Sequence, residues 1–389
     1  MRPETRTVRL PQPPVTGSTP ITVPLYQTSG FVFDDAQAMA EGMSRPDGAF
    51  VYGRYSNPTV RSLEEAVSGL EGGVAAIATG SGMGAINSVL LGLLKPGDHL
   101  IAQEALYGGT AAMINELVAR FGVTVTYVPE TDPAALRAAA TPATRLVYLE
   151  TIANPVGQVA DLPAMCAAAR ELGLTTVVDN TFATPVLCRP IEHGADIVVH
   201  SLTKYISGHT DVVGGIAVFA DDALYRKVWH FAIELGASAD PFAAWLTLRG
   251  LQTLALRMER HCANAQLVAE RLADHPKVTK VHYAGLPGHA SHEVAAKLLS
   301  GSGGVLAFDL AGGRQAAEAF MRSTRLVLLA PSLGGVETLM LHPASTSHRA
   351  LDEAELARTG ISQGTVRLAV GIEHAEDLWE DIAQALDNA

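Results

Sequence analysis

The 389-residue sequence contains few cysteines and no long apolar run. Its three cysteines, Cys166, Cys188 and Cys262, are scattered and odd in number, so they suggest neither a C-x-x-C pair nor a disulfide framework. This usage is typical of a reducing compartment, and we expect a cytoplasmic protein. The first residues lack the apolar segment of a signal peptide, and the longest apolar run, Ile86–Leu94, is too short to span a bilayer.

Charged residues, and basic residues above all, are also scarce. The chain has 28 Lys and Arg against 40 Asp and Glu, a net charge of −12 and no basic run, which argues against a nucleic-acid or anionic-membrane partner. Charged residues make up 17% of the chain, against about 25% in an average protein. We therefore expect a subunit interface to cover part of the surface.

Proline interrupts the N-terminal segment, 1–60, and breaks any helical periodicity there. The interrupting residues are Pro11, Pro13, Pro14, Pro20 and Pro24. This segment is predicted to be an extended arm, and its many aromatic residues favour packing on a neighbouring subunit.

Strand-like and helix-like segments alternate from about residue 61, which predicts an α/β fold with a large, doubly wound, mainly parallel sheet. The strand-like segments are 74–79, 99–103, 123–128, 146–149, 175–178, 197–200 and 215–219. A long helical region, 241–274, precedes a smaller α/β unit. The strand candidates of that unit are 278–283, 305–310, 326–329 and 366–370. We expect three parts, which are an arm (1–60), a cofactor-binding domain (61–250) and a C-terminal domain (251–389).

A glycine-rich turn, Thr79–Ala85 (TGSGMGA), lies between a strand and a helix. Small residues let the backbone approach an anion, and a helix N-terminus offers free N–H groups, so the turn suggests a phosphate site. Gly80, Gly82 and Ala85 also satisfy G-x-G-x-x-[GA], and an acidic residue, Glu104, comes near the end of the next strand. The motif alone therefore fits both a nicotinamide enzyme and an enzyme with another phosphate-bearing cofactor.

Two residues at successive strand ends distinguish these alternatives. Asp179 ends one strand, and Lys204 follows the next strand along the chain. A carboxylate can keep a pyridine nitrogen protonated, a lysine amine can form a Schiff base, and the hydroxyls of Ser201 and Thr203 can bind a phosphate. Pyridoxal phosphate (PLP) chemistry requires this combination. The sequence thus predicts a PLP enzyme whose cofactor is carried by Lys204.

Eight short strings between about Tyr26 and the C-terminus form a specific pattern. They are Tyr52–Thr59 (YGRYSNPT), Ser81–Ile86 (SGMGAI), Leu106–Thr110 (LYGGT), Asn154–Pro155 (NP), Val178–Thr181 (VDNT), Ser201–Tyr205 (SLTKY), Ser332–Gly334 (SLG) and Val366–Gly371 (VRLAVG). Together they resemble the cysteine/methionine-metabolism family of PLP enzymes, which includes cystathionine γ-synthase, cystathionine γ-lyase, methionine γ-lyase and the homoserine-ester sulfhydrylases. The resemblance implies the aminotransferase-like PLP fold (fold type I) and a homotetramer built from tight dimers.

The resemblance also implies roles for individual residues around the cofactor. Lys204 holds the cofactor and moves protons, Asp179 pairs with the pyridine nitrogen, and Tyr107 stacks on the ring and acts as an acid–base group. Asn154 lies near the ring oxygen. The residues implied around the phosphate are Ser81, Gly82, Met83, Ser201 and Thr203, with Tyr52 and Arg54 reaching the phosphate of the neighbouring subunit.

A second group of residues is implied in substrate binding. Arg367 and Ser332 bind the α-carboxylate, and Tyr52, Asn154 and Glu337 are further contacts. Arg367 supports this from its own context, because it lies in an apolar strand and a buried guanidinium needs an anionic partner.

The histidines lack the spacing of a metal site. His200 and His209 are interpreted as core or supporting residues, and we predict no metal.

The family resemblance implies γ-elimination or γ-replacement on an L-amino acid. The α- and β-protons are lost and the γ-substituent leaves. The product then hydrolyses to a 2-oxo acid and ammonia or accepts a thiol. Two other functions are less well supported. Only the glycine turn suggests a nicotinamide dehydrogenase, and a catalytically inactive homologue would not need the full set of catalytic residues.

The residues after Thr110 bear on the choice of substrate. Relatives that bind a distal carboxylate typically carry arginine where this chain has Ala112, and burying an unpaired carboxylate is unfavourable. Methionine γ-lyases are also alanine-like here, but they usually carry a reactive cysteine at the position of Gly109, and Glu337 lies in a string shared with the cystathionine enzymes. We predict a methionine γ-lyase-like C–S lyase. The alternatives are a γ-replacement enzyme and a specialised γ-eliminase that acts on an unusual amino acid.

Overall fold

The computed structural model of the chain describes residues 2–9, 11, 20–45, 47–349, 352–353, 356 and 359–389. Pro13 and Pro14, two of the residues behind the predicted arm, lie outside the described residues. None of the helices in the described ranges has the length and apolar character needed to cross a bilayer.

The N-terminal arm contains two short helices, α1 (Pro3–Val8) and α2 (Ala36–Met43). The prediction that proline excludes helix from the segment 1–60 is therefore wrong. Pro3 occupies the first turn of α1, where no intrahelical hydrogen bond is required. The start of α2 is stabilised by Asp35, whose carboxylate accepts a hydrogen bond of 2.8 Å from the backbone N–H of Ala38.

The larger sheet follows the arm and has seven strands. They are β1 (Ala75–Thr79), β2 (His99–Gln103), β3 (Thr124–Val128), β4 (Thr144–Glu150), β5 (Thr175–Asp179), β6 (Ile197–Ser201) and β7 (Gly215–Phe219). Their order across the sheet is β1-β7-β6-β5-β4-β2-β3. Strands β2 to β6 pair in parallel, and β7 runs antiparallel to both β1 and β6. The predicted α/β fold with a mainly parallel sheet is confirmed.

Helices cover both faces of this sheet. They are α3 (Pro58–Glu71), α4 (Gly82–Leu93), α5 (Gly108–Phe121), α6 (Pro133–Ala139), α7 (Leu162–Glu171), α8 (Thr184–Leu187) and α9 (Asp222–Leu235). Along β4, Val147 and Leu149 belong to the buried cluster that includes α3 and α7, whereas Leu146 and Tyr148 belong to the cluster that includes α4 and α9. Because both faces are buried, the strands are continuously apolar rather than alternating.

The smaller sheet has five strands, β8 (Val278–His282), β9 (Val305–Leu310), β10 (Leu328–Leu329), β11 (Leu339–Leu341) and β12 (Thr365–Ala369), in the order β10-β11-β12-β9-β8. The sequence did not predict β11, which is only three residues long. The accompanying helices are α10 (Pro241–Leu251), α11 (Leu254–Ala273), α12 (His292–Leu298), α13 (Gly313–Ser323) and α14 (Ala375–Asp387).

The predicted helical region 241–274 is divided where α10 ends and α11 begins, and a buried arginine fixes this junction. Arg257 is 4% exposed. Its Nη1 donates to the carbonyl of Tyr205 at 2.6 Å, its Nη2 to the carbonyl of Gly250 at 2.8 Å, and its Nε to Thr253 Oγ1 at 3.0 Å. The chain segment that follows Lys204 is thereby attached to the junction.

The backbone approaches closely at Gly250, since a Cβ there would lie 1.9 Å from the carbonyl oxygen of Ser207. We expect Gly250→Ala to lower the free energy of unfolding by about 1–3 kcal/mol through overpacking. The matched control is Gly69→Ala in α3, where a Cβ meets no atom within 4 Å and the change should raise stability by about 0.5–1 kcal/mol. Thermal and urea unfolding measure both, and a Gly250→Ala protein as stable as the parent would contradict the close approach.

Candidate active site

The amine of Lys204 lies just beyond the carboxyl end of β6. Its Nζ donates a hydrogen bond of 2.7 Å to Ser332 Oγ. Burial, together with the positive charge of Arg367, lowers the pKa of Lys204 to about 8. A lysine with a lowered pKa has more of its neutral, nucleophilic form near neutral pH, as bond formation to a carbonyl carbon requires.

The guanidinium of Arg367 in β12 lies in the same group and is 4% exposed. Its Nη1 donates to Asn154 Oδ1 at 3.1 Å, and its Nη2 donates to the carbonyl oxygen of Ser332 at 2.6 Å. Among the described residues, its buried Nε has no hydrogen-bond partner. Burial lowers the pKa of Arg367 to about 10, which shows that its charge is poorly solvated. This environment fits an anionic ligand.

Two carboxylates occupy neighbouring strand ends. Asp179 ends β5 and Glu150 ends β4, and the two residues are direct partners in the parallel register. Burial raises the pKa of both groups, and the charge of Asp179 raises that of Glu150 further, while hydrogen bonds from Thr181 oppose the increase for Asp179. A cation placed between these strand ends would stabilise the charged form of the pair.

Glu150 was not identified from the sequence, although it positions Tyr107. Its Oε1 accepts a hydrogen bond of 2.6 Å from the backbone N–H of Tyr107, at the start of α5. Glu150 directly follows the predicted strand 146–149, just as Asp179 follows 175–178, so its position carries the same signal. The side chain of Tyr107 is 44% exposed, so it faces open space beside the pair.

The glycine-rich turn forms a small concave surface. Ser81 caps α4 by accepting a hydrogen bond of 3.0 Å from the N–H of Gly84, which leaves the N–H groups of Gly82 and Met83 at the helix N-terminus. A Cβ on Gly82 would lie 2.9 Å from Ser201 Cβ and 3.0 Å from Ser201 Oγ. Helix N–H groups beside a hydroxyl form a suitable phosphate site.

The hydroxyl of Thr203 stabilises the loop next to this turn. Its Oγ1 accepts from the N–H of Gly214 at 3.0 Å and lies 3.2 Å from the Gly214 carbonyl. Thr203 therefore fixes the loop that follows β6, the loop on which Lys204 lies.

Two of the sequence-predicted residues, Arg54 and Glu337, make other contacts within this chain, and a third, Tyr52, is exposed. Arg54 Nη1 donates to the carbonyl of Ile233 at 2.8 Å, and its guanidinium carbon lies 4.9 Å from the centroid of the Tyr55 ring. The side chain of Tyr52 is 47% exposed. The Oε2 of Glu337 accepts a hydrogen bond of 3.4 Å from Thr210 Oγ1.

His200 lies in β6, and its side chain is buried in the core. Its Nε2 is 2.7 Å from Glu71 Oε1, which also accepts a hydrogen bond of 2.8 Å from Asn180 Nδ2. His209 Nδ1 is 2.7 Å from the carbonyl oxygen of Ser207. Within the described ranges, no three or more His, Cys, Asp or Glu side chains are grouped as metal ligands.

These residues fit PLP in three respects. A half-buried amine of lowered pKa lies beside an arginine that lacks one partner among the described residues, a carboxylate pair can face a cationic ring nitrogen, and a helix N-terminus can take a phosphate. The family model described as Cys/Met metabolism PLP-dependent enzyme matches residues 4–387. The chain belongs to this family. This family is PLP-dependent, so the nicotinamide alternative for the glycine turn is wrong.

Members of the Cys/Met metabolism family with different activities are similar to the chain over nearly its whole length. The L-methionine gamma-lyase of Porphyromonas gingivalis is 43% identical over 371 residues, which cover 95% of this chain and 93% of that protein. The cystathionine gamma-synthase of Mycobacterium tuberculosis is 43% identical over 373 residues, which cover 96% of this chain and 93% of that protein.

A solved structure in the same family shares the fold. The cystathionine gamma synthase from Xanthomonas oryzae pv. oryzae, solved in complex with aminoacrylate and cysteine, matches with a TM-score of 0.94 and 41% identity, covering 100% of this chain and 98% of that chain. The predicted aminotransferase-like PLP fold is confirmed. The chain is a PLP-dependent lyase or transferase of sulfur amino acid metabolism.

We expect Lys204→Ala to fold but to hold PLP without a covalent bond, because the only change is the loss of the amine. Borohydride reduction followed by peptide mass spectrometry should find the cofactor on the peptide containing Lys204 in the parent and on no peptide in the variant. Lys227→Ala, at an exposed position of α9, is the control and should label as the parent does. Labelling that persists in Lys204→Ala would assign the cofactor to another lysine.

Proposed function

We propose that the enzyme is a γ-eliminating C–S lyase that acts on an L-amino acid with a small γ-substituent and forms a 2-oxo acid and ammonia. The observation that carries this proposal is the environment of Ala112. It lines a cavity of about 670 Å³ that is also lined by Asn154, the residue bonded to Arg367. Among the described residues that line the cavity there is no lysine or arginine to bind a distal carboxylate.

We assign each residue of the candidate active site a task. Arg367 binds the α-carboxylate through its free Nε, with Asn154 and Ser332 holding the guanidinium in place. When bound, PLP supplies an electron sink for negative charge on the substrate carbons. Lys204 Nζ takes the α- and β-protons, and the Tyr107 hydroxyl protonates the leaving group.

Other residues of the candidate active site bind the cofactor. Asp179 keeps the ring nitrogen protonated, which restores the charged form of a carboxylate whose pKa burial raises. The N–H groups of Gly82 and Met83, with Ser81, Ser201 and Thr203, surround the phosphate.

γ-Replacement is the second candidate, and two observations favour it. The cystathionine gamma-synthase of Mycobacterium tuberculosis and the L-methionine gamma-lyase of Porphyromonas gingivalis are both 43% identical to the chain. In addition, a Cβ at Gly109 would lie 2.5 Å from Tyr107 Cε1 and 3.0 Å from Met83 Sδ. The Tyr107 ring thus occupies space that a cysteine at this position would need, so the site differs from that of a cysteine-bearing lyase.

Substrate comparison tests the proposed elimination. We expect kcat/KM for methionine and homocysteine to exceed the values for O-succinylhomoserine and cystathionine by about tenfold or more, since an unpaired distal carboxylate is costly to bury. The assay scores 2-oxo acid, ammonia and thiol separately, with O-acetylhomoserine as a small uncharged ester control. If kcat/KM is tenfold higher for O-succinylhomoserine and cystathionine instead, another cation binds the distal carboxylate and replacement becomes the better assignment.

We also propose a homotetramer in which the arm (1–60) packs on a neighbouring subunit, beside a PLP-binding domain (61–250) and a C-terminal domain (251–389). The arm carries apolar surface that supports this, since Val32 is 99% exposed and Met39 41% exposed. A cytoplasmic location agrees with three free cysteines, of which Cys166 and Cys188 are buried.

In this assembly, Tyr52 and Arg54 reach the neighbouring subunit's PLP phosphate. Loss of a charge-assisted contact costs about 1.5–3 kcal/mol, so Arg54→Ala should weaken PLP binding by about 10- to 150-fold. Fluorescence titration of the apoenzyme with PLP measures this. The control is Arg120→Ala, whose side chain is 72% exposed and should bind PLP as the parent does. Unchanged PLP affinity in Arg54→Ala would remove Arg54 from the phosphate site.

A further inference from the structure

The cavity beside Ala112 carries negative charge. Glu104 directly follows β2, and Glu130 lies just beyond the end of the neighbouring parallel strand β3. The backbone N–H of Glu104 donates to the carbonyl of Val128 at 3.0 Å, which ties the two strand ends together. Both glutamates line the cavity, Glu104 exposed and Glu130 half-buried.

No positive charge balances this pair in the part of the chain that the structure describes. Neither glutamate takes part in a salt bridge there. Burial raises the pKa of Glu130, and the charge of Glu104 raises it further. His348 also lines the cavity, but burial and the charge of Arg367 lower its pKa, which favours the neutral imidazole.

A buried arginine next to the cavity is an independent feature that points to an anionic ligand there. Arg367 is 4% exposed and its Nε lacks a partner among the described residues, while its Nη1 is bonded to Asn154, which itself lines the cavity. With its α-carboxylate at Arg367 beside Asn154, as in the proposed function, a substrate would extend its side chain toward the cavity that Glu104 and Glu130 line.

We propose that Glu104 and Glu130 select γ-substituents that carry a positive charge, such as a sulfonium group, over neutral substituents of the same shape. This inference rests on the proposed γ-elimination and names its substrate class. A cation between two carboxylates gains attraction from both, whereas a neutral thioether leaves the two negative charges facing each other. A distal carboxylate would add a third like charge, in agreement with the missing arginine at Ala112.

The reaction on such a substrate balances without a further co-reactant. With S-methylmethionine, the Cγ–S bond breaks and its electron pair passes to sulfur, so dimethyl sulfide leaves as a neutral molecule. S-Methylmethionine and one water then give 2-oxobutanoate, dimethyl sulfide, ammonium and one proton. Methionine and one water give 2-oxobutanoate, methanethiol and ammonium by the same cleavage.

The test compares these two substrates, which differ by one methyl group and one charge. The quantity measured is kcat/KM for S-methylmethionine divided by kcat/KM for methionine, since the intrinsic reactivity of the two leaving groups cancels when variants are compared. We expect this ratio to fall by about tenfold or more in Glu104→Gln/Glu130→Gln, and by a smaller factor in each single variant. Glu116→Gln, on the exposed side of α5, is the control and should keep the parent ratio.

Each outcome bears on a distinct claim. A parent enzyme that cleaves neither substrate would contradict the proposed elimination itself. A parent that cleaves methionine, with the same ratio in the double variant, overturns the charge selection alone. If the double variant does not fold, the parent ratio is measured between about 0.05 M and about 1 M salt, where screening should lower it, and a ratio that salt does not change also overturns the proposal.

Discussion

The buried guanidinium of Arg367 joins the two sheets at the active site. It comes from β12 of the smaller sheet, and its hydrogen bonds lead to Ser332 and to Asn154, which follows β4 of the larger sheet. A buried charge is costly unless every donor finds an acceptor. Two of its nitrogen atoms are satisfied and Nε has no partner among the described residues, so the residue that joins the two sheets also offers a donor to the carboxylate proposed to bind there.

The parallel register of the larger sheet determines the rest of the site. Because β2 to β6 point the same way, residues that follow these strands meet at one edge. That edge receives Glu104, Glu150, Asp179 and Lys204 from four different strands. Acidic groups therefore lie both beside Lys204 and in the neighbouring cavity that Glu104 lines.

Ligand-binding residues of a parallel sheet follow the carboxyl ends of its strands, and this rule explains which site residues could be predicted from the sequence. Asp179 and Lys204 were found because they follow the predicted strands 175–178 and 197–200, whereas Glu150, which follows the predicted strand 146–149 in the same way, was missed. The division between α10 and α11 depends on the tertiary contacts of Arg257, which no local periodicity encodes. The contacts expected of Arg54 require a second subunit, and within this chain its guanidinium bonds to Ile233 of α9 and lies over the Tyr55 ring.

The attachment of Tyr205 to Arg257 has a consequence for the backbone beside Lys204. The carbonyl that follows Lys204 is bonded to a fully enclosed guanidinium, which in turn is bonded to the α10–α11 junction. These bonds join three separate parts of the chain around one buried side chain, so the backbone beside Lys204 is held in one position by the protein itself.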